Sequence, residues 1–282
     1  MHTSVFLEEA IASLNIQKKG KYIDATYGKG GHSRAIVEKG GDVLAIEWDP
    51  SQIPSTKQTG IEIAKGNFAN IQFIAQEYKF IPVDGILFDF GLSMDQLEEG
   101  KKGLSFRKLE EPLDMRISNE GITAAEIINE YAEHELADAF MKFSEEIKSA
   151  AIAKQIGILR RKKPLQKVQD LNNAIDKALK ELSKNREFTE KVYARIYQAL
   201  RIMVNEEFNN INKGLEDGLS ILSPGGRIVT ITFHSLEDRI VKLFARQHKA
   251  EVIEEKIDVE KARKLRSFER SATLRILEKK LT

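Results

Sequence analysis

Tyr22-Ile-Asp24-Ala-Thr-Tyr-Gly28-Lys-Gly30-Gly31-His32-Ser33-Arg-Ala-Ile-Val37 is the stretch on which the fold turns. An apolar run, Tyr22–Ala25, stops at a glycine-rich turn, and a helical pattern, Ser33–Lys39, leaves it. Glycine at such a turn takes positive φ and lets the backbone come close to a ligand. The same rhythm continues downstream. Val43–Ile46 is a second strand ending at Glu47, Ile61–Ala64 a third ending near Asn67 and Phe68, and Val83–Phe88 a fourth ending at Asp89. Strands alternating with helical segments imply an α/β fold whose parallel sheet carries helices on both faces.

The alternation stops near Lys101. From there to Arg195 the pattern is helical, over Ala124–Tyr131, Glu133–Phe143, Ile147–Arg160 and Val168–Leu182. A further helix is expected from Ala194 to Leu222, ending at Ser223-Pro224-Gly225-Gly226. Arg227–Thr232 then reads as a buried strand, Leu236–Gln247 as a helix, and Glu251–Glu255 with Ala272–Leu277 as an antiparallel pair. The simplest architecture is a sheet domain with an all-helical insertion after its fourth strand.

Composition narrows the chemistry. Cysteine is absent, which excludes disulfides, thiolate catalysis and cysteine-ligated zinc and fits a cytoplasmic protein. The five histidines are scattered with no pair at metal-ligand spacing, so no intrinsic metal is expected. No apolar run approaches the roughly twenty residues of a membrane-spanning helix, and no N-terminal signal segment is present, because Glu8 and Glu9 interrupt Val5–Leu14. The net charge of +1 hides a segregation: residues 148–195 hold 13 Lys/Arg against 5 Asp/Glu. Such a block suits a polyanion such as RNA, or an ordinary solvated helical face.

In doubly wound sheets ligands bind beyond the carboxyl ends of the strands, so the residues ending the first four strands form one constellation. Asp24, Gly28, Gly30, Gly31 and His32 belong to the first turn, Glu47 and Phe68 to the next two strand ends, and Asp89 to the fourth. Glu47, 19 residues after Gly28, is placed to accept hydrogen bonds from a ribose diol. Phe68 suits adenine stacking or the core. The turn alone describes a site for a nicotinamide dinucleotide or for S-adenosylmethionine. Two features favour the methyl donor: Asp24 would repel a pyrophosphate but welcome a cationic methionine end, and no pair of residues nearby suits hydride transfer.

Asp89-Phe90-Gly91-Leu92-Ser93 would sit beside the transferred methyl group. Asp89 is placed to hold an exocyclic base amine or to hold the donor. After strand five, Phe233-His234-Ser235-Leu236-Glu237-Asp238-Arg239 crowds polar groups at the cleft. There His234, Ser235 and Arg239 are candidates for base or phosphate contact, unless Ser235 and Asp238 form a capping box. Gln198, Arg201 and Asn205 share one helical face. Gly103-Leu-Ser-Phe-Arg107 and Pro112-Leu-Asp-Met-Arg116 offer Arg107 and Arg116 for RNA, since arginine and phenylalanine stack on splayed bases and bind phosphates.

Taken together the motifs resemble the bacterial ribosomal small-subunit RNA cytosine-N4 methyltransferases (RsmH/MraW). The matching runs are His2-Thr-Ser-Val-Phe-Leu-Glu-Glu, Asp24-Ala-Thr through Gly30-Gly31-His32-Ser33, Val83-Asp-Gly-Ile-Leu-Phe-Asp89 and Gln96-Leu. They continue with Gly103–Arg107, Pro112–Arg116, Gln198–Asn205, Pro224-Gly-Gly-Arg, Phe233–Lys242 and Arg270-Ser-Ala-Thr-Leu-Arg275. They follow family order from end to end. The resemblance implies a class I S-adenosylmethionine-dependent, Rossmann-like methyltransferase core in two parts, 1–100 and 196–282. Between them lies a helical substrate-recognition insertion, 101–195. It implies N4-methylation of a cytidine in the decoding region of 16S ribosomal RNA, with the donor held by Gly30, Gly31, His32, Glu47, Phe68, Asp89 and Gln96. It leaves open whether naked RNA or an assembled subunit is the substrate, and whether the chain is a homodimer. A non-catalytic RNA-binding assembly factor is the alternative, and a nicotinamide-dependent dehydrogenase a more distant one. The chain departs from the family at Glu47, where aspartate is usual, at Ser93–Glu98, at Ile147-Lys148 and at Lys191–Ala194.

Overall fold

The computed structural model describes residues 4–56, 58–92, 96–97, 100–180, 185–249, 251–265 and 269–281. His2 and Thr3 of the first family run, Ser93–Asp95 and Glu98 of the departing loop, and Leu182, the expected end of a helix, lie outside them. The chain divides into two compact units, one of residues 1–91 with 208–282 and the other of residues 92–207. These limits enclose a longer helical unit than the span 101–195 expected from the change in sequence pattern.

The first unit is a seven-stranded sheet: β1 (Lys21–Asp24), β2 (Asp42–Glu47), β3 (Ile61–Lys65), β4 (Val83–Phe90), β5 (Leu222–Thr232), β6 (Val252–Ile257) and β7 (Thr273–Lys279). Their order is β3-β2-β1-β4-β5-β7-β6. The first five run parallel to one another, and β7 runs antiparallel to both β5 and β6. Central strands read as continuous apolar runs because both faces are covered; in β2 only Asp42 is exposed. One face packs against α1 (Leu7–Leu14) and α2 (Gly31–Glu38) through Phe6, Ala10, Leu14 and Ile36. The other packs against α3 (Ile71–Glu77), the helix Glu207–Ile221 and the helix Ser235–Gln247 through Ile71, Ile74, Leu215, Val241 and Phe244. The strand order reverses between β1 and β4, which opens a crevice at their carboxyl ends.

The second unit is all-helical: α4 (Ala124–Glu130), α5 (Glu133–Ser144), α6 (Ser149–Arg160), α7 (Val168–Leu179) and α8 (Arg186–Val204). Apolar residues at helical spacing, among them Ile127, Leu136, Phe140, Ile152, Ile156, Leu171, Ile175, Ile196 and Leu200, build its own core.

Two local expectations are corrected. The single helix expected over 194–222 is two: α8, which starts earlier at Arg186, and α9 (Glu207–Ile221). The break falls where Glu206 takes φ 48° and the amide of Asn205 leaves the helix to pair with Met115 O and Ile117 N. The periodic apolar pattern runs on through this turn, which is why it reads as one helix. The cap of α10 (Ser235–Gln247) also differs: it is His234 with Glu237, rather than Ser235 with Asp238, that forms the capping box. Asp238 instead makes a two-pronged pair with Arg275, at 2.7 and 3.0 Å.

Candidate active site

Asp24, at the end of β1, is fully buried. Its Oδ2 accepts from Ser33 Oγ at 2.5 Å and its Oδ1 from Thr26 N at 3.3 Å, which closes the glycine-rich turn onto the start of α2. Gly28 and Gly30 hold φ of 53° and 69°. A Cβ on Gly30 would lie 2.6 Å from the Tyr27 ring, so that glycine answers a close approach inside the turn. Gly28 has no atom within 4 Å of where its Cβ would be, which leaves its backbone open to a ligand. Gly31 packs under Ser4.

Glu47 ends β2 and is 7% exposed. Its Oε2 accepts from Gly28 N at 2.8 Å and its Oε1 from Asp49 N at 2.7 Å. The extra methylene relative to aspartate lets the carboxylate fold back onto the turn. Each oxygen keeps a second lone pair for a hydroxyl. Burial pushes the carboxyl up to about 7; the two N–H groups pull the other way, and the charges of Asp49 and Asp24 add to the rise.

Asp89 lies near the end of β4, its N–H donated to Thr26 Oγ1 at 2.8 Å. The side chain is 22% exposed, and its Oδ2 stands 4.0 Å from Nδ1 of His32. Its Oδ1 is shielded and has no hydrogen-bond partner among the described residues. Burial pushes this carboxyl up to about 6, His32 pulls it down, and Asp24 and Glu237 push it further up. Buried polar atoms are nearly always paired, so an unpaired carboxylate oxygen at a strand switch point is a candidate for pairing with a ligand.

His32 is buried on the first turn of α2. Its Nε2 faces Val5 O at 3.1 Å. Phe68 is half-buried in an aromatic cluster, its ring 5.7 Å from Phe88 and 5.6 Å from Phe90. His234 uses Nδ1 to accept from Glu237 N at 3.3 Å, while its Nε2 lies 3.0 Å from Glu237 Oε1. Buried Glu237 in turn accepts from Phe233 N at 2.7 Å. Ser235 and Arg239 are exposed on α10. Within this unit the structure thus gathers Asp24, Gly28, Gly30, Gly31, His32, Glu47 and Asp89 around one crevice. Thr26 and Glu237 are structural partners of that group which strand-end patterning does not single out; Thr26 was legible only as part of the Asp24-Ala-Thr run.

The remaining candidates lie in the helical unit. Gln96 is part-buried. Arg107 is exposed, pairs with Glu190 at 3.2 Å and lies 5.1 Å over the Phe106 ring. Arg116 clamps Asp114 with both ends at 2.8 Å and also reaches Asn119 O and Gly121 O. Arg201 is paired two-pronged with Glu207, at 2.7 and 3.0 Å. Asn205 is buried, donating to Met115 O and Arg201 O and accepting from Ile117 N. Gln198 donates to Phe143 O. Of the basic block, Arg160 caps the end of α4 through Ile128 O and Tyr131 O, and Arg195 meets buried Glu146 at 2.7 Å. Lys154, Lys162 and Lys163 are exposed and make no ion pair among the described residues. The described residues contain no cluster of three potential metal ligands and no helix long and apolar enough to cross a membrane.

The chain matches the model of the MraW methylase family over residues 1–281. A ribosomal RNA small subunit methyltransferase H from Thermomicrobium roseum is 41% identical over 88% of this chain and 78% of its own length. Its counterpart from Dehalococcoides mccartyi is 43% identical over 86% and 70%, and that from Shewanella oneidensis 38% identical over 88% and 80%. The crystal structure of an rRNA methylase from Streptococcus thermophilus aligns with 100% of this chain and 99% of its own at 11% identity and a TM-score of 0.46, a likeness that carries no argument. With a family model matched almost from end to end and relatives at this identity spanning most of both chains, the chain belongs to the MraW methylase family.

Proposed function

We propose that this protein transfers a methyl group from S-adenosylmethionine to N4 of a cytidine in small-subunit ribosomal RNA. Membership of a methylase family, with relatives named ribosomal RNA small subunit methyltransferase H, supports the reaction class and the RNA. The observation that carries the site assignment is the unpartnered Oδ1 of Asp89 at the β1/β4 switch point, within a rim of buried carboxylates. A rim made by Asp24, Glu47 and Asp89 attracts a cation and repels a pyrophosphate, so the residues present fit the methyl donor better than a dinucleotide.

S-adenosylmethionine, when bound, supplies a methyl group on positively charged sulfur. The protein's share is position and field. The open backbone at Gly28 and the turn to Gly31 receive the amino-acid end, Glu47 the ribose and Phe68 the adenine side. An exocyclic amine is a weak nucleophile because its lone pair is delocalised into the ring. Asp89 holds the amine N–H, lets the nitrogen pyramidalise and takes up the proton, which is catalysis by orientation and electrostatics. His234, tied into the cap of α10, borders the crevice with its ring held in one orientation, suited to steering a base rather than to moving protons. The target cytidine is splayed from the folded RNA. Lys154, Lys162 and Lys163, with Arg107, supply phosphate contacts that make binding salt-dependent. A cytoplasmic location, and either naked small-subunit ribosomal RNA or an assembled subunit as substrate, agree with this reading.

The test is to map methylated nucleotides in small-subunit ribosomal RNA from cells with and without the protein, and to restore the mark with purified protein and labelled donor. Loss and return of one N4-methyl cytidine mark is expected. An unchanged RNA, with tight binding retained, would favour the assembly-factor reading.

A further inference from the structure

The geometry points to His32 as a positioning residue for Asp89, one that orients this carboxylate so that Oδ1 is the oxygen offered to the reacting amine. The inference rests on the methyl-transfer reading above and goes beyond it in giving the imidazole, rather than only the backbone, of His32 a task. Four observations carry it. The imidazole is 4% exposed. Its Nε2 faces a backbone carbonyl, Val5 O, at 3.1 Å; a carbonyl only accepts, so Nε2 carries a proton. Its Nδ1 faces Oδ2 of Asp89 at 4.0 Å. The other oxygen of Asp89 has no hydrogen-bond partner among the described residues.

With Nε2 protonated, Nδ1 and Oδ2 would present lone pairs to each other unless a proton resides between them. At 4.0 Å the contact is too long for a hydrogen bond and acts through charge: a proton on Nδ1 favours the ionised carboxylate. Groups facing Asp89 from the packed elements are His32 on α2, Asp24 on β1 and Glu237 on α10; the contact from Thr26 is neutral. Two of the three charged neighbours oppose ionisation, and only His32 favours it. Anchoring by the N-terminal segment through Val5 O holds the ring where it can do so.

In the reaction the nitrogen–methyl bond forms as the sulfur–methyl bond breaks, and the electron pair of that bond stays on sulfur. Nitrogen gains positive charge and releases its proton to Oδ1. That proton can be taken up only when Asp89 is ionised, which is the state His32 supports.

The experiment is the pH dependence of single-turnover methyl transfer by the wild type and by His32→Asn, with calorimetry of S-adenosylhomocysteine binding to both. Asparagine keeps a polar amide near this position but carries no charge. At saturating donor the acidic limb is expected to move up by about one pH unit, beyond any change in S-adenosylhomocysteine affinity that accompanies the substitution. An unmoved limb, or a rate loss accounted for by donor affinity alone, overturns the inference. Because His32→Asn risks misfolding, nitrogen-15 histidine NMR of the wild type and of Asp89→Asn provides a second readout. One buried ring carrying protons on both nitrogens in the wild type, and on one in Asp89→Asn, supports the pairing; a ring neutral in both overturns it. Should the wild type leave ribosomal RNA unmethylated, the functional reading fails, while the NMR result still decides the His32–Asp89 pairing.

Discussion

The sheet unit and the helical unit treat their charges in opposite ways. At the strand ends of the sheet unit, Asp24 and Glu47 are buried and Asp89 partly so, without a lysine or arginine among their hydrogen-bond partners in the described residues, and one shielded oxygen of Asp89 has no hydrogen-bond partner there. In the helical unit Arg116, Arg160, Arg195 and Arg201 are each satisfied by a carboxylate or by backbone carbonyls. On the reading proposed above, the first arrangement is costly in the free protein and a bound methyl donor would relieve it. The second is a finished scaffold with exposed lysines, which the same reading gives to RNA phosphates. The contrast separates residues held ready for chemistry from residues that resemble a site in sequence but are consumed by the fold.

The largest effect expected from this contrast is at Asp89. Asp89→Asn should lower the methyl-transfer rate by about 10²–10³-fold, the range for removal of one preorganised polar group from a reacting centre, while leaving thermal stability equal or higher because a poorly paired buried carboxylate is removed. A variant that is both active and less stable would place Asp89 with the scaffold residues.

Glu47 tests the same idea through pH. Its carboxyl is raised from 4.5 to about 7 in the folded protein. The stability associated with its protonated form is therefore fully present below about pH 4.5 and is lost as pH rises to about 7, amounting to about 3 kcal/mol in all. Urea titrations across that window should show the decline in the ligand-free protein, and Glu47→Gln should flatten it. A wild-type stability that rises over the same window would mean the carboxylate is better supported than its two N–H partners imply.

On the scaffold side, Asn205→Ala strips the Ile117 N–H and the Met115 carbonyl of their partner. It should cost about 2 kcal/mol of stability without altering affinity for S-adenosylhomocysteine. Chemical denaturation together with calorimetry checks both halves. The smallest effect is expected from the lysines. Replacing Lys154, Lys162 and Lys163 together with alanine should weaken RNA binding several-fold at moderate salt and shallow the salt dependence by up to about three, with stability unchanged. Filter binding at several salt concentrations would show whether these lysines contact the RNA.

Much of this was readable in the chain itself. The alternation of apolar runs with helical segments over 22–89 announced a parallel sheet, and the acidic residues at the ends of the first, second and fourth strands pointed to the crevice, because a strand buried on both faces has few places for a carboxylate except its end. The helical block after residue 101 was equally plain from its period. The break at Asn205 and Glu206 was not, since apolar spacing continues through it and only the pairing of Asn205 with the 115–117 segment, ninety residues away, stops the helix. Nor was the cap of α10, where serine satisfies the local rule but histidine sits at the position with extended backbone.

Local sequence therefore determined the sheet, the helical insertion and the identity of the strand-end carboxylates, because periodicity and turn chemistry act over a few residues. Whether each polar side chain is free or already spent was decided only in three dimensions. Arg116 and Asp89 look equally available in the sequence. One is enclosed by a carboxylate and two carbonyls, and the other keeps an oxygen that no group in the described fold satisfies. Pairing of that kind depends on residues distant along the chain, and no local pattern encodes it.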